Sequence, residues 1–190
     1  MKADETRWND RYRNSKFPST VNNLVENYCH LANPGLALDI AAGNGRNSRF
    51  LVENGFQVDA VDISSVAIEM IQVQNPAVNC FHEDLDGYIP KADGYDLIIN
   101  INFLDRVLFP HIKNALKKDG ILIFRTFLDS HLHSQNQQDV RRAHYLKSNE
   151  LLQEFIDLQI VLYREEDFVL VNGEKRETAS LVVRKRSLTA

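Results

Sequence analysis

The stretch LDIAAGNGRNS at residues 38–48 decides how the rest of the chain is interpreted. An apolar strand leads into two glycines, Gly43 and Gly45, and a helical pattern follows them. In a parallel sheet such a turn lies at the carboxyl edge, where nucleotide-like ligands bind. Glycine lets a ligand approach the backbone closely, and the free N–H groups of the next helix can hold an anionic group. The stretch therefore predicts a nucleotide-type binding turn.

The ends of the next two strands carry acidic residues that suit the same ligand. Asp62 ends the second strand, where a carboxylate can accept hydrogen bonds from both hydroxyls of a ribose. Asp84 ends the third strand and is placed to bind an adenine amino group, with Leu85 beside it as an apolar wall. Three consecutive strand ends therefore predict one adenosine site.

Short apolar runs alternate with helical stretches from about residue 36 onward, which is typical of an α/β fold whose mostly parallel sheet is covered on both faces. The last two runs are separated by a polar stretch with a turn-like Asn172-Gly173, too short for a crossover helix. These two strands are therefore predicted to be antiparallel. The predicted strands are residues 36–41, 57–62, 78–83, 95–100, 121–127, 158–163 and 179–184.

Apolar residues at helical spacing predict the helices between the strands. One stripe runs from Leu104 through Val107, Leu108 and Ile112 to Leu116, and Asp119-Gly120 is predicted to end that helix. Ser64 and Ser148 are predicted N-caps of two further helices. Residues 1–34 form a helical extension or lid ahead of a main domain at 35–190, within a single structural domain overall.

The composition is that of a globular protein and disfavours several functions. Among 190 residues with a net charge of −4, the basic residues form no broad surface for nucleic acid. The two cysteines, Cys29 and Cys80, lack a metal-ligand spacing. The sequence shows neither a signal peptide nor an apolar run of the roughly 20 residues that span a membrane. We therefore expect a cytoplasmic protein, monomeric or homodimeric, without nucleic-acid or membrane partners.

Asp39 four residues before Gly43, together with Gly45, Asp62, Asp84 and the antiparallel last strand, resembles the class I S-adenosylmethionine-dependent methyltransferases. The resemblance implies a Rossmann-like sheet of seven strands in the order 3-2-1-4-5-7-6, with helices on both faces. The stretches at residues 8–12, 45–48 and 145–152 are similar to the small-molecule branch that contains tellurite-resistance and thiopurine-type enzymes.

The resemblance also implies roles for the residues at the strand ends. S-adenosylmethionine is the implied cofactor, with Asp39 holding its ammonium and Arg46 supporting its carboxylate. The acceptor of the methyl group is then a small molecule or a metalloid oxyanion, methylated by in-line displacement. The remaining positions expected to line the cofactor are Ala41, Gly43, Gly45, Asp62, Ile63, Asp84, Leu85, Asn100 and Ile101.

Residues after the fourth strand and near the N-terminus are expected to shape the acceptor pocket. They are Trp8, Tyr12, Asn102, Phe103 and Arg106. Where the acceptor must lose a proton, candidate bases lie after the fifth strand at His131, His133 and His144. We predict no metal, because the His131–His133 pair has no third ligand at suitable spacing.

Two other functions remain open from the sequence. A module that binds S-adenosylmethionine without catalysis would keep the same cofactor positions. A nicotinamide-dependent oxidoreductase would share the first glycines and the acidic strand end. That second alternative is disfavoured because Ser48 replaces the third small residue of its motif and Asp39 stands inside the first strand, where an apolar residue is usual.

Overall fold

The computed structural model describes residues 2–129, 145–169 and 175–186. Seven strands lie in this part of the chain, namely β1 Leu36–Ile40, β2 Gln57–Asp62, β3 Val78–His82, β4 Tyr95–Ile101, β5 Leu116–Phe127, β6 Gln159–Val169 and β7 Lys175–Arg184. They form one sheet in the order β3-β2-β1-β4-β5-β7-β6. Strands β1 to β5 pair in parallel, and β7 is antiparallel to both β5 and β6. The predicted α/β class, strand order and antiparallel last strand are confirmed.

Helices join the strands and cover both faces of the sheet. The described helices are α1 Lys2–Asn14, α2 Asn23–Tyr28 with a 3-10 turn at Cys29–Leu31, α3 Arg46–Glu53, α4 Ser65–Gln74, α5 Leu108–Ala115 and α6 Glu150–Glu154. Ser64 is the N-cap of α4, as predicted, because its side chain accepts a hydrogen bond from the Ala67 N–H at 3.1 Å.

The two faces of the sheet bury two apolar clusters. Leu38 and Ile98 face the cluster that contains α5, whereas Leu97 and Ile99 face the cluster that contains α2, α3 and α4. Burial on both faces explains why residues 36–38 of β1 and 97–99 of β4 are consecutive apolar residues instead of alternating with polar ones. Two packed layers hold the carboxyl ends of the central strands, and therefore the candidate site, on a rigid frame.

The helix after β4 is shorter than its apolar stripe predicts, and two parts of that prediction are wrong. Val107 precedes α5 and is 62% exposed. Leu116 belongs to β5, where it pairs with Tyr95, so the strand begins before Asp119-Gly120 instead of after it. Asp119 adopts a left-handed φ of 64°, and its N–H donates to the Lys185 carbonyl. Backbone hydrogen bonds of the sheet therefore outweigh the helical periodicity here.

The hairpin of β6 and β7 is longer than the apolar pattern predicts. Most of the polar stretch between the two predicted strands is paired, with Arg164 opposite Ser180 and Glu166 opposite Thr178. Polar side chains hide this strand signal because Arg164 and Glu166 line a cavity instead of the core.

The predicted N-cap of the last helix is wrong by one residue. Asn149, with a left-handed φ of 60°, precedes α6. The Ser148 hydroxyl donates instead to the Glu165 carboxylate at 2.8 Å, and the Asn149 N–H donates to the same group at 2.6 Å. The Ser148 hydroxyl therefore binds a carboxylate on β6 instead of capping α6.

Candidate active site

The turn between β1 and α3 has an unusual backbone. Ala41, Gly43 and Gly45 all have left-handed φ angles, of 54°, 59° and 71°. This conformation is unfavourable for a residue with a Cβ, so Ala41 carries local strain. A Cβ added at Gly43 would lie 2.6 Å from the Tyr12 hydroxyl, at the surface of the cavity. The turn thus presents bare backbone to a ligand at Gly43.

Asp62 clamps this turn from the end of β2. One carboxylate oxygen accepts a hydrogen bond from the Gly43 N–H at 2.8 Å, and the other accepts from the Ser64 N–H at 2.8 Å. Asp62 is 5% exposed, and this burial raises the pKa of its carboxyl group although both backbone N–H groups oppose the change. The same side chain therefore shapes the turn and faces the cavity.

Asp39 lies beneath the turn and is 1% exposed. Its carboxylate accepts a hydrogen bond from the Ser48 hydroxyl at 2.6 Å, which gives Ser48 a role that a glycine in its place would lack. Burial raises the pKa of Asp39 to about 7, even though the Ser48 bond opposes the shift. A positively charged group nearby would favour the ionised form.

A cavity of about 790 Å³ opens at the carboxyl edge of the sheet. It brings together most of the residues that the sequence assigned to cofactor and acceptor. Those that line it are Trp8, Tyr12, Ala41, Gly43, Arg46, Asp62, Ile63, Leu85, Ile101, Asn102 and Phe103.

Five assigned residues lie outside the cavity lining, namely Asp39, Gly45, Asp84, Asn100 and Arg106. Gly45 faces the core and not the cavity, since a Cβ added there would lie 2.6 Å from the Ile71 side chain. Asp84 is exposed and accepts a hydrogen bond from the Asp86 N–H. Arg106 donates to the Glu150 carboxylate and to the Tyr145 carbonyl at 2.9 Å, so it joins α6 to the loop before α5. Asn100 is 1% exposed in β4.

Helix α1 lies over the cavity. Tyr12 stacks on Phe17, with 4.4 Å between ring centroids, and the Arg11 guanidinium lies 4.7 Å from the Trp8 ring centre. The Asn9 side chain accepts a hydrogen bond from the Ser64 hydroxyl at 2.7 Å, which ties α1 to the start of α4. Burial raises the pKa of Tyr12, and the nearby Asp62 and Asp39 raise it further, so this phenol stays neutral.

The three histidines proposed as bases, His131, His133 and His144, lie outside the described residues. Among the residues that the structure does describe, the His, Cys, Asp and Glu side chains form no group of three able to hold a metal ion. Within the same ranges, every helix is too short or too polar to cross a membrane.

Several cavity residues were missed by the sequence reasoning. Arg125 on β5 and Arg164 and Glu166 on β6 line the side of the cavity away from the glycine turn. One signal for Arg125 was available, because it interrupts the apolar run of β5 near its carboxyl end. Arg164 and Glu166 had no such signal, because the polar sequence around them is typical of a loop.

The sheet order and the strand-end turn define a Rossmann-like domain with a candidate nucleoside site at its carboxyl edge. A methyltransferase domain family matches residues 10–161, and the chain belongs to this family. S-adenosylmethionine is therefore the cofactor of the domain. No curated protein matches the sequence.

Solved structures with the same fold include several methyltransferases. TehB from Haemophilus influenzae superposes with a TM-score of 0.77 at 19% identity, over 94% of this chain and 67% of TehB. A SAM-dependent methyltransferase from Anabaena variabilis gives 0.69 at 21% identity, over 97% and 94% of the two chains. One from Methanosarcina mazei gives 0.70 at 17% identity, over 88% and 99%. At these identities the similarity shows the fold.

Proposed function

We propose that this protein transfers the methyl group of S-adenosylmethionine to a small-molecule acceptor by in-line displacement. The observation that carries the proposal is the extent of the cavity. It begins at Gly43 and Asp62 and continues past Phe103 to a separate wall on β5 and β6. Its volume of about 790 Å³ lies in the range of sites that enclose small molecules, roughly 300–1,000 Å³. It therefore offers space for an acceptor beside the cofactor.

The residues at the turn suit the cofactor that the family implies. Each oxygen of Asp62 accepts one backbone N–H and keeps capacity for a second hydrogen bond, which fits the two hydroxyls of a ribose. The buried Asp39 beneath the turn suits an ammonium. Arg46 lines the cavity and suits the carboxylate, while its guanidinium is anchored to the Thr20 carbonyl at 3.2 Å.

When bound, S-adenosylmethionine supplies a methyl group on an electrophilic sulfonium, so the chain itself must bind, orient and exclude water. Ile101 and Asn102, at the end of β4, form the cavity floor. Asn102 has a left-handed φ of 64°, and its N–H donates to the Arg125 carbonyl at 2.7 Å, which fixes this corner. Trp8 and Tyr12 of α1 line the same space.

A small acceptor is favoured by the cavity volume of about 790 Å³ and by α1, which contributes Trp8, Arg11 and Tyr12 to the cavity lining. The similarity of residues 8–12 to tellurite-resistance and thiopurine-type enzymes, and the shared fold with TehB, support a place in that branch. Its acceptors are small molecules or metalloid oxyanions.

The proposal is tested by measuring transfer of tritiated methyl groups from S-adenosylmethionine to a panel of small acceptors. We expect transfer with the native chain and a strong loss in Gly43→Ala, whose new Cβ would project into the cavity. Gly87→Ala is a matched control, because Gly87 also has a left-handed φ but lies in open space. Cofactor binding without transfer to any acceptor would favour a non-catalytic binding module instead.

A further inference from the structure

Helix α1 packs against α4 without contributing to the core. None of its 13 residues is buried, whereas α3, α4 and α5 each bury at least three. Burial of apolar surface is the main force that fixes a helix on a domain, so the position of α1 depends largely on polar contacts. The half-buried residues of α1 recur on one face of the helix and are Asp4, Glu5, Trp8, Asn9 and Tyr12.

Asn9 makes the hydrogen bonds that join α1 to α4. Its side-chain oxygen accepts from the Ser64 hydroxyl at 2.7 Å and from the Val66 N–H at 3.3 Å, and its Nδ2 donates to the Ser65 hydroxyl at 3.1 Å. The first N–H groups of a helix have no partner within that helix. Asn9 therefore caps the first turn of α4 from another helix, beside the N-cap Ser64. These three bonds are called the Asn9 latch below.

The Asn9 latch holds the segment that carries Asp62. The Ser64 N–H donates to the Asp62 carboxylate at 2.8 Å, while the hydroxyl of the same serine belongs to the latch. Asp62 lines the cavity, whereas Asn9 lies outside its lining. A ligand that orders Asp62 therefore also orders the surface on which α1 docks.

A second polar contact joins α1 to the same segment. The Nε2 atom of His82, at the end of β3, lies 3.2 Å from the Glu5 carboxylate of α1 and 2.9 Å from the Ile63 carbonyl. Both neighbours are acceptors, so this nitrogen carries a proton. A pair of partly exposed side chains contributes little free energy, so the Asn9 latch carries more of the docking.

The chain that follows α1 is fixed to the glycine turn and to α3. Residues 18–22 are held there by four hydrogen bonds of 2.9–3.2 Å. Only residues 15–17 separate this fixed segment from α1, so the helix can swing as one piece about them once the latch opens. The four bonds run from Asn44 to the Pro18 carbonyl, from Arg49 to the Ser19 carbonyl, from Arg46 to the Thr20 carbonyl and from the Asn22 N–H to the Asn47 side chain.

The face of α1 beside the latch belongs to the cofactor end of the cavity. Trp8 and Tyr12 line the cavity, and a Cβ added at Gly43 would lie 2.6 Å from the Tyr12 hydroxyl. The aromatic side chains of α1 therefore occupy the approach to the bare backbone of the turn. A cofactor that enters along this approach must pass them.

We propose that docking of α1 and binding of S-adenosylmethionine are coupled through the Asn9 latch. The helix swings out about residues 15–17 to admit the cofactor and closes on α4 when Asp62 is occupied. Asn9 is a positioning residue, because it acts through Ser64 and touches no part of the cavity. The coupling is reciprocal, so loss of the latch weakens the cofactor and loss of the cofactor loosens α1. This inference goes beyond the proposed methyl transfer, since it concerns entry and release of the cofactor whatever the acceptor.

The one tryptophan of the chain, Trp8, lies on α1, so its fluorescence reports the position of this helix. Quenching by acrylamide is measured with the free protein and with protein saturated with S-adenosylhomocysteine. We expect the quenching constant of the native chain to fall at least about twofold on saturation, because the ligand shifts α1 from a mixture of open and closed positions to the closed one.

Three variants test the latch itself. Asn9→Ala, saturated with S-adenosylhomocysteine, should leave Trp8 as accessible as in the free native chain. Its ligand should also dissociate about tenfold faster, as measured by surface plasmon resonance, because the hydrogen bonds of the latch are lost. Asn9→Asp should return both values to within about threefold of native, because its carboxylate still accepts from the first turn of α4 and its charge suits a helix N-terminus. Asn14→Ala is the matched control on the same helix, since its amide bonds the Asp10 carbonyl within α1, and both values should stay native.

The outcomes separate the coupling from the proposed function. Equal quenching of Trp8 in the free and saturated native chain overturns the coupling without any variant. A native dissociation rate in Asn9→Ala, or full shielding of Trp8 in that variant by the ligand alone, overturns it as well. Urea denaturation of Asn9→Ala should match the native chain, because α1 buries no residue. Coupling as expected without methyl transfer to any acceptor overturns only the proposed function, and a native chain that does not bind S-adenosylhomocysteine overturns both.

Discussion

Replacing Asp62 with alanine tests the clamp that joins the glycine turn to the cofactor. The change leaves the N–H groups of Gly43 and Ser64 without an acceptor in a buried place. Each unsatisfied buried donor costs about 1–3 kcal/mol, so the loss of both acceptors should lower the free energy of unfolding by about 2–6 kcal/mol. Loss of the hydrogen bonds to the ribose separately weakens binding of S-adenosylhomocysteine by ~1–3 kcal/mol, which raises its Kd about 5- to 150-fold.

Urea denaturation measures the first effect, and calorimetry on the folded variant measures the second. Asp59→Ala is the matched control, because Asp59 lies on the same strand and accepts hydrogen bonds from Asn79 at 3.1 Å and Tyr95 at 3.2 Å. It should lose stability and keep its affinity. If Asp62→Ala also loses stability but binds S-adenosylhomocysteine as tightly as the native chain, Asp62 only shapes the turn and the reasoning is refuted.

Three further predictions concern neighbouring residues. Because the pKa of Asp39 is about 7, affinity for S-adenosylhomocysteine should rise as the carboxyl ionises between about pH 6 and pH 8, and a pH titration of Asp39→Asn should lack this rise. Gly45→Ala should lower stability by about 1–3 kcal/mol in urea, through its left-handed φ and the contact with Ile71, with affinity unchanged. Phe109→Ala should lower stability by about 3–5 kcal/mol, because its fully buried ring packs on Phe124 and Phe155; a loss under about 1 kcal/mol would contradict this packing.

The central sheet was predictable because its signals are local. Four strands, β1 to β4, end within one residue of their predicted bounds, since each is a short apolar run between turn residues. The start of β5, the end of β6 and the start of β7 were not predictable in this way. These segments pair with partners that are distant in sequence, such as Leu116 with Tyr95. Several of the paired residues in β6 and β7 are polar, so no apolar pattern marks the strands there.

The residues of the candidate site were likewise predictable only where the signal is local in sequence. Gly43, Asp62 and Ile101 follow directly from a strand that ends at a turn, and the structure brings them together in one cavity. Asp84 and Arg106 also follow strands, but they lie outside its lining, because proximity in sequence to a strand end does not fix the direction of a side chain. The cavity wall on β5 and β6 depends on the register of three strands, which the sequence does not state.

The most direct test of the central claim is a crystal structure of the protein with S-adenosylhomocysteine. Our account predicts that both ribose hydroxyls lie within about 3 Å of the Asp62 carboxylate oxygens, with the nucleoside against the Gly43 backbone. A ligand bound elsewhere on the surface, or a ribose that faces away from Asp62, would contradict it.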